Sequence, residues 1–187
     1  MKSNPKSLIF PAVIICSLIL ISLSVAVNSG FANPQTENVT DFQSSGSATS
    51  AQLSSLFPKE IQKWKSLIED TAAKTGLNPN LIGAVIMQES GGNPQAYSSS
   101  GAVGLMQVMP NDGIASKFIC GNHPCFSHRP STTELFDPKF NVEFGSSYLS
   151  ELISSKATER EALKAYGPMD VGYYYADTVL AIFDTHH

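Results

Sequence analysis

Glu89 is the residue of this chain best placed for acid chemistry. It follows an apolar helical run and precedes a glycine-rich loop, residues 91–104. If a helix begins near Pro79, Glu89 lies on the same face as Leu81 and Val85, at the negative end of the helix dipole. Partial burial and the dipole both disfavour a carboxylate, so both predict a raised pKa. Such a glutamic acid can protonate the leaving oxygen of a glycosidic bond.

The loop after Glu89 offers groups that suit sugar binding. Gln107 contributes an amide, and Met106 and Met109 contribute thioethers, a mixture suited to hydrogen bonding and packing against a sugar. These local features leave a second interpretation open. Glu89 can equally be a solvated glutamate at a fraying helix end, and the methionines can be ordinary core residues.

Helices are predicted to position Glu89 and this loop. Apolar residues at helical spacing predict one first helix from Pro58 to a stop at Gly76. Asn78-Pro79 is a cap followed by a proline at the first helical position, and it opens the helix that carries Glu89. That helix is apolar on every side, so we expect it in the middle of the domain. A short helical or turn-like piece is expected over residues 105–109.

The C-terminal half is also predicted to be helical. Asp137-Pro138 predicts a second capped helix start, with Asp137 as the capping residue. Further helices are expected over residues 159–166 and 173–183. In the helix that starts at Asp137-Pro138, a stripe of large apolar residues recurs every fourth residue and is predicted to be core. The stripe comprises Phe140, Phe144, Tyr148 and Leu152. No alternation of period two predicts a confident strand, so the fold class is mostly α, α+β at most.

The N-terminus has the pattern of an export signal. Lys2 and Lys6 precede an apolar run over residues 8–27 and small residues that suit a cleavage site. Residues 1–32 are therefore interpreted as a signal peptide or, because the run approaches the ~20 residues that span a bilayer, as a signal anchor. Residues 33–57 are polar and predict a flexible linker. Residues 58–187 are left for one catalytic domain, in the cell envelope or outside the cell.

Charge and length exclude some function classes. The chain has 187 residues and a net charge of −4, and loss of residues 1–32 would remove two lysines and no acid. An acidic chain of this kind is not expected to bind nucleic acid. The length provides one hydrophobic core, and we expect a monomer.

Two cysteines remain outside the N-terminal run. Cys120 and Cys125 enclose four residues, and in an exported protein this spacing predicts a disulfide that stiffens a local segment. A metal site is the alternative because His123 and His128 lie close by, but nothing else in the sequence marks the tetrahedral ligand set that zinc requires.

The loop after Glu89 carries a family resemblance that covers residues 61–183. The matching residues are Glu89-Ser90, Ser98, Gly101-Ala102, Gly104-Leu105-Met106-Gln107, Met109-Pro110, Asp137-Pro138, Asn141, Gly145, Tyr148-Leu149, Ala165-Tyr166-Gly167, Tyr175 and Val179-Leu180. At this spacing the chain resembles the soluble lytic transglycosylases, which are relatives of goose-type lysozyme. It departs from the family pattern Ala-Tyr-Asn at Gly167, and the segment 120–129 is not part of that pattern.

The resemblance implies a lysozyme-like domain with a deep groove for peptidoglycan strands. It implies Glu89 as a single general acid and then base that forms 1,6-anhydromuramic acid, with no cofactor. The residues implied to bind substrate are Ser98, Gln107, Met109, Tyr166 and Tyr175. A hydrolytic muramidase and a catalytically weak wall-binding module remain the alternatives.

Overall fold

The structure is a computed structural model that describes residues 52–186, and most of this range is helical. Its elements are α1 (Lys59–Gln62), α2 (Lys65–Thr75), α3 (Pro79–Ser90), a 3-10 helix (Ala115–Lys117), β1 (Ile119–Cys120), β2 (His123–Pro124), α4 (Thr132–Leu135), α5 (Pro138–Ser155), α6 (Glu159–Tyr166) and α7 (Tyr174–His186). The mostly helical fold class is confirmed. The predicted signal or anchor and most of the predicted linker lie outside the described residues. Within residues 52–186, no helix combines the length and apolar character of a membrane span.

Helix α3 occupies the centre of the domain, as its apolar sequence predicts. The Asn78 side chain accepts a hydrogen bond from the Asn80 backbone N–H and caps the helix start. Residues 81–86 are all buried, and α3 packs most extensively against α7. Gly91 ends the helix in the left-handed conformation, with φ of 58°. The helix that carries Glu89 is therefore held by the core along its length.

The packed domain begins before residue 58, where the sequence placed its boundary. Leu53 and Phe57 are 2% and 3% exposed and lie in the core. They pack against Gly83 of α3, where an added Cβ would lie 2.8 Å from Leu53 Cδ1. The backbone N–H of Leu53 also donates to Glu69 Oε1 at 2.8 Å. Leu53 and Phe57 were assigned to the linker because the residues around them are mostly polar.

The predicted single first helix is two helices. The chain breaks between α1 and α2 at Lys63 and Trp64, where the Trp64 N–H bonds to the Ile61 carbonyl three residues back. The Trp64 indole Nε1 donates to the Gly92 carbonyl at 3.0 Å. This long-range hydrogen bond connects the break to the loop after Glu89, and a local pattern contains no sign of it.

The predicted core stripe of α5 is wrong as a buried face, although the half-buried Phe144 packs against the core. Phe140 is 36% exposed, and Phe144, Tyr148 and Leu152 are only half-buried. The buried residues of α5 are instead Asn141, Val142, Gly145, Ser146 and Leu149. Two of these are polar, so apolar periodicity could not identify the face. The aromatic stripe instead faces the segment that follows the second cysteine, since the Arg129 guanidinium lies over the Phe144 and Tyr148 rings.

Cys120 and Cys125 form the predicted disulfide. The bond closes a short hairpin in which β1 and β2 pair antiparallel, Cys120 opposite His123. Both strands are exposed and have only two residues each, which explains why period-two patterning gave no signal. The hairpin lies between the 3-10 helix and α4, two elements that the sequence did not predict.

Candidate active site

Glu89 lies in the last turn of α3 and is half-buried. Burial raises the pKa of its carboxyl from 4.5 to about 7, while a hydrogen bond from Tyr175 acts in the opposite direction. The predicted upward shift is therefore present, with desolvation as its main cause. A sizeable fraction of this group is therefore protonated at neutral pH, as a general acid must be before it gives its proton.

Tyr175 is the direct partner of Glu89. Its hydroxyl donates to Glu89 Oε1 at 2.6 Å, across 86 positions of sequence. The tyrosine is 5% exposed, and burial raises the pKa of its hydroxyl well above 10, with the nearby Glu89 charge adding to the shift. Tyr175 is therefore a neutral donor at working pH. It fixes one carboxyl oxygen, while the other accepts no hydrogen bond from residues 52–186.

Three tyrosine rings lie side by side next to the acid. The Tyr175 and Tyr166 ring centroids are 6.4 Å apart, and the Tyr166 and Tyr148 centroids are 5.7 Å apart. The Tyr166 hydroxyl donates to the Met106 carbonyl at 2.9 Å, so this ring also supports the loop after α3. The two tyrosines expected at the site thus lie together with Glu89, and Tyr148 extends the row.

Gly167 leaves the space that the Tyr175 ring occupies. Its φ of −75° is open to any residue, so backbone conformation does not demand glycine here. An added Cβ would instead lie 2.4 Å from both Cγ and Cδ1 of Tyr175. The departure from the family pattern is therefore coupled to the position of Tyr175. A larger residue at 167 would displace the ring that holds Glu89.

Ser90 and Asn141 hold the loop against α3 and were not singled out as site residues by sequence reasoning. The Ser90 hydroxyl donates to the Leu105 carbonyl at 2.8 Å. Asn141 is fully buried; its Oδ1 accepts from the Met106 N–H, and its Nδ2 donates to the carbonyls of Val103 and Leu135. The signal for Asn141 was the family pattern, which includes it, because hydropathy did not place this asparagine on the buried face of α5.

Ser98 and Gln107 lie within the loop with part of their polar capacity already used. Ser98 Oγ accepts from the Ala102 N–H at 2.9 Å, which leaves its hydroxyl hydrogen for another acceptor. Gln107 Nε2 donates to the carbonyls of Gly104 and Ala96, at 3.0 and 3.2 Å. Its Oε1 accepts no hydrogen bond from residues 52–186.

Gln107 and Gly104 shape the turn of this loop. Gln107 has a backbone φ of 46°, which residues other than glycine rarely adopt, and its two side-chain hydrogen bonds hold it in this conformation. Gly104 has a φ of 77°, and an added Cβ would lie 2.4 Å from Asn141 Nδ2. Met109 follows, half-buried, in a segment that is turn-like rather than helical. The loop is thus fixed from within and from α5.

Asp112, Glu134 and Asp137 cap helices or form hydrogen bonds that connect loops. Asp137 Oδ1 accepts from the Phe140 N–H at 2.7 Å, which confirms its predicted capping role. Glu134 and Ser131 form a capping box at α4. Asp112 accepts hydrogen bonds from the backbone and hydroxyl of Thr132, which lower the pKa of its carboxyl. Glu89 is the acid of this region whose pKa is raised toward neutrality.

Residues 52–186 contain no group of three or more histidine, cysteine or acidic side chains arranged to hold a metal ion. Cys120 and Cys125 are joined to each other, so the metal alternative for these cysteines and their neighbouring histidines has lost its two thiolate ligands.

Similarity to known proteins agrees with this geometry. The Transglycosylase SLT domain profile matches residues 66–172, which include Glu89, the loop, Tyr148 and Tyr166, whereas Tyr175 lies just beyond the matched range. A mostly helical domain with a half-buried glutamic acid, whose pKa is raised to about 7 at the end of a central helix, is the class that this fold and site define. The chain belongs to the SLT transglycosylase domain family.

Individual relatives match about half of the chain. Membrane-bound lytic murein transglycosylase E of Buchnera aphidicola is 39% identical over 92 residues, 49% of this chain and 40% of that protein. Endo-type membrane-bound lytic murein transglycosylase A of Citrobacter koseri is 40% identical over 94 residues, 50% of this chain and 45% of that protein. The matched region thus spans less than half the length of these relatives.

One solved structure is similar in fold over a longer stretch. An inactive mutant of lytic transglycosylase Slt from Pseudomonas aeruginosa superposes with a TM-score of 0.53 and 25% identity, covering 70% of this chain and 24% of that one.

Proposed function

We propose that this chain is a peptidoglycan lytic transglycosylase that cleaves the β-1,4 bond between N-acetylmuramic acid and N-acetylglucosamine. The observation that carries the proposal is the pKa of about 7 of the half-buried Glu89 carboxyl, held by Tyr175. Family membership and relatives named as lytic murein transglycosylases support the same reaction. The substrate of those relatives is the basis for assigning peptidoglycan to this chain.

Glu89 acts twice in one turnover. The protonated carboxyl gives its proton to the glycosidic oxygen as the bond to C1 of muramic acid breaks. The carboxylate then removes a proton from the C6 hydroxyl of the same sugar, whose oxygen bonds to C1 and closes the 1,6-anhydro ring. Glu89 ends the cycle protonated, so no second carboxylate is needed. Tyr175 donates to Glu89 in both states and favours the charged form midway through the cycle.

The loop residues are proposed to bind the sugar on either side of the bond. The Ser98 hydroxyl hydrogen and Gln107 Oε1 are the groups left unused by the loop, so they offer one donor and one acceptor to a hydroxyl or an N-acetyl group. Met109 and Tyr166 offer apolar surface. Location in the cell envelope follows from the substrate and is part of the proposal.

The mass of the products tests this function. Purified peptidoglycan is digested with the protein, and the fragments are analysed by mass spectrometry. We expect anhydromuramic ends, which are lighter by one water than reducing ends. Reducing ends would instead identify a hydrolytic muramidase.

A variant separates catalysis from binding. Glu89→Gln is nearly isosteric and removes the proton transfer, so we expect a ~10²- to 10⁴-fold loss of rate with retained binding to peptidoglycan. Glu60→Gln, which removes the same charge at an exposed site in α1, serves as the matched control and is expected to remain active. Equal lysis by the Glu89 variant and the wild type would contradict the proposal, and wall binding without lysis by the wild type would indicate a binding module.

A further inference from the structure

Arg129 is held against the aromatic stripe of α5 at one end of the row of tyrosines. Its guanidinium carbon lies 3.8 Å from the centroid of the Tyr148 ring and 5.7 Å from that of Phe144. The side chain follows the disulfide hairpin, and its backbone N–H bonds to the Phe126 carbonyl. Stacking fixes the plane of the guanidinium while leaving its N–H groups along the edge.

The charge of Arg129 is not used within the described domain. The ion pairs of residues 52–186 join Lys65 to Glu69, Lys74 to Glu143 and Arg160 to Asp177. The Arg129 guanidinium forms no ion pair and donates no hydrogen bond to any residue in that range. Five N–H donors in a fork that matches a carboxylate are therefore open, in a chain with a net charge of −4.

A cavity lies beside this guanidinium. It has a volume of about 300 Å³ and is lined in part by Phe126, His128, Arg129, Tyr148 and Glu151. The Glu151 carboxylate is not within ion-pair distance of Arg129, so it does not neutralise the cation directly. The cavity can hold a small polar branch of a larger substrate.

The cavity is connected to Glu89 by direct ring contacts. Tyr148 lies next to Tyr166, Tyr166 lies next to Tyr175, and Tyr175 bonds to Glu89. Electrostatics agree with this proximity. Burial and the Glu89 charge raise the pKa of Tyr166, and Arg129 opposes that shift. We therefore expect groups that flank a scissile bond at Glu89 to reach Arg129 along this row of rings.

We propose that Arg129 binds a carboxylate of the peptide stem that branches from muramic acid, and so gives the enzyme a preference for peptide-bearing strands. The inference rests on the proposed function. The glycan of peptidoglycan is uncharged along its backbone, whereas its stem peptides carry free carboxylates. Bidentate recognition of a carboxylate is the chemistry that an open, planar guanidinium supplies.

Kinetics on two forms of the same strand test this assignment. Glycan strands with stem peptides and strands stripped of peptide by an amidase are compared as substrates. Hydrogen bonds to a charged group predict that Arg129→Gln lowers kcat/KM on peptide-bearing strands by about 10- to 100-fold. On stripped strands we expect no change. Arg129→Lys keeps the charge but loses the fork, so it should lie between the wild type and Arg129→Gln.

Two further variants control for charge. Lys117→Gln removes one positive charge from an exposed residue close before the hairpin and is expected to match the wild type on both substrates. Glu151→Gln removes the negative charge that lines the cavity, so it should lower KM for peptide-bearing strands only.

The outcomes separate this inference from the proposed function. Equal loss on both strands would mean that Arg129 only supports the packing of Tyr148, and no loss on either would also overturn the inference. If the wild type cleaves neither strand, the proposed function fails. The role of Arg129 is then decided by titration calorimetry with a soluble disaccharide bearing a stem peptide, with and without Arg129→Gln. A 10-fold or larger rise in Kd supports the inference, and an unchanged Kd overturns it.

Discussion

Replacement of Glu89 by glutamine should make the folded protein more stable, and increasingly so as the pH rises. In the folded state the pKa of the carboxyl is about 7, against 4.5 in the absence of burial. Between these values the folded protein binds a proton that the unfolded chain has released. The free energy of unfolding of the wild type therefore falls as pH rises through this window. Glutamine is neutral throughout, so the variant does not share this loss.

The size of the effect follows from the shift. Each pKa unit corresponds to about 1.4 kcal/mol, so the variant should gain at most about 3 kcal/mol over the wild type above pH 8. Tyr175 can still donate to the amide oxygen of glutamine, which keeps the local hydrogen bond. Near pH 5 most of the difference should be gone, because the folded wild type is then protonated and neutral too.

Urea unfolding at several pH values between 5 and 8.5 measures this difference. The fluorescence of Trp64, the one tryptophan of the chain, reports unfolding. Glu60→Gln is the control, since its exposed side chain predicts a change of a few tenths of a kcal/mol with no trend across the window. A Glu89 variant that is less stable than the wild type at pH 8, or a difference that does not change with pH, would refute desolvation of Glu89.

Four other measurements test the structure, three at the Glu89 site and one at the disulfide. The kcat/KM for peptidoglycan should decline above pH 7, because the free enzyme then loses the proton of Glu89; a plateau to pH 9 would contradict this. Tyr175→Phe removes a bond that favours the carboxylate, so it should move that decline to higher pH, and a shift to lower pH would be inconsistent with the hydrogen bond. Gly167→Ala should cost ~1–3 kcal/mol in urea unfolding and reduce activity because its Cβ meets the Tyr175 ring; unchanged stability would mean that the ring moves freely. Reduction of the disulfide at Cys120 should cost less than ~3 kcal/mol because its loop is short, and a larger loss would show that the hairpin supports the core.

Local signals predicted the parts of the fold that depend on neighbouring residues. Asn78-Pro79 and Asp137-Pro138 both open helices as expected, because a capping side chain acts on a backbone N–H two or three residues away. Helix α6 begins and ends where its sequence indicates. The break at Trp64 was missed because its indole bonds to Gly92, 28 residues ahead.

The sequence indicated which residues lie at the candidate site better than it indicated how they contact one another. Local features and the family resemblance both indicated Glu89, and the resemblance alone supplied Tyr175, but the hydrogen bond between them depends on how α7 packs on α3. Hydropathy assigned the wrong face of α5 to the core, since the buried face carries Asn141 and the aromatic face carries Tyr148. Arg129 gave no sequence signal, because its stacking partners Phe144 and Tyr148 were predicted to lie in the core.

The packing of Leu53 and Phe57 on α3 has a mechanical consequence for the helix that bears Glu89. These two side chains fill the space over Gly83 of that helix. Removal of these side chains would take away that packing from α3. An expression fragment that starts at residue 58 would expose α3 to solvent around Gly83, so fragments for structural work should start upstream of Leu53.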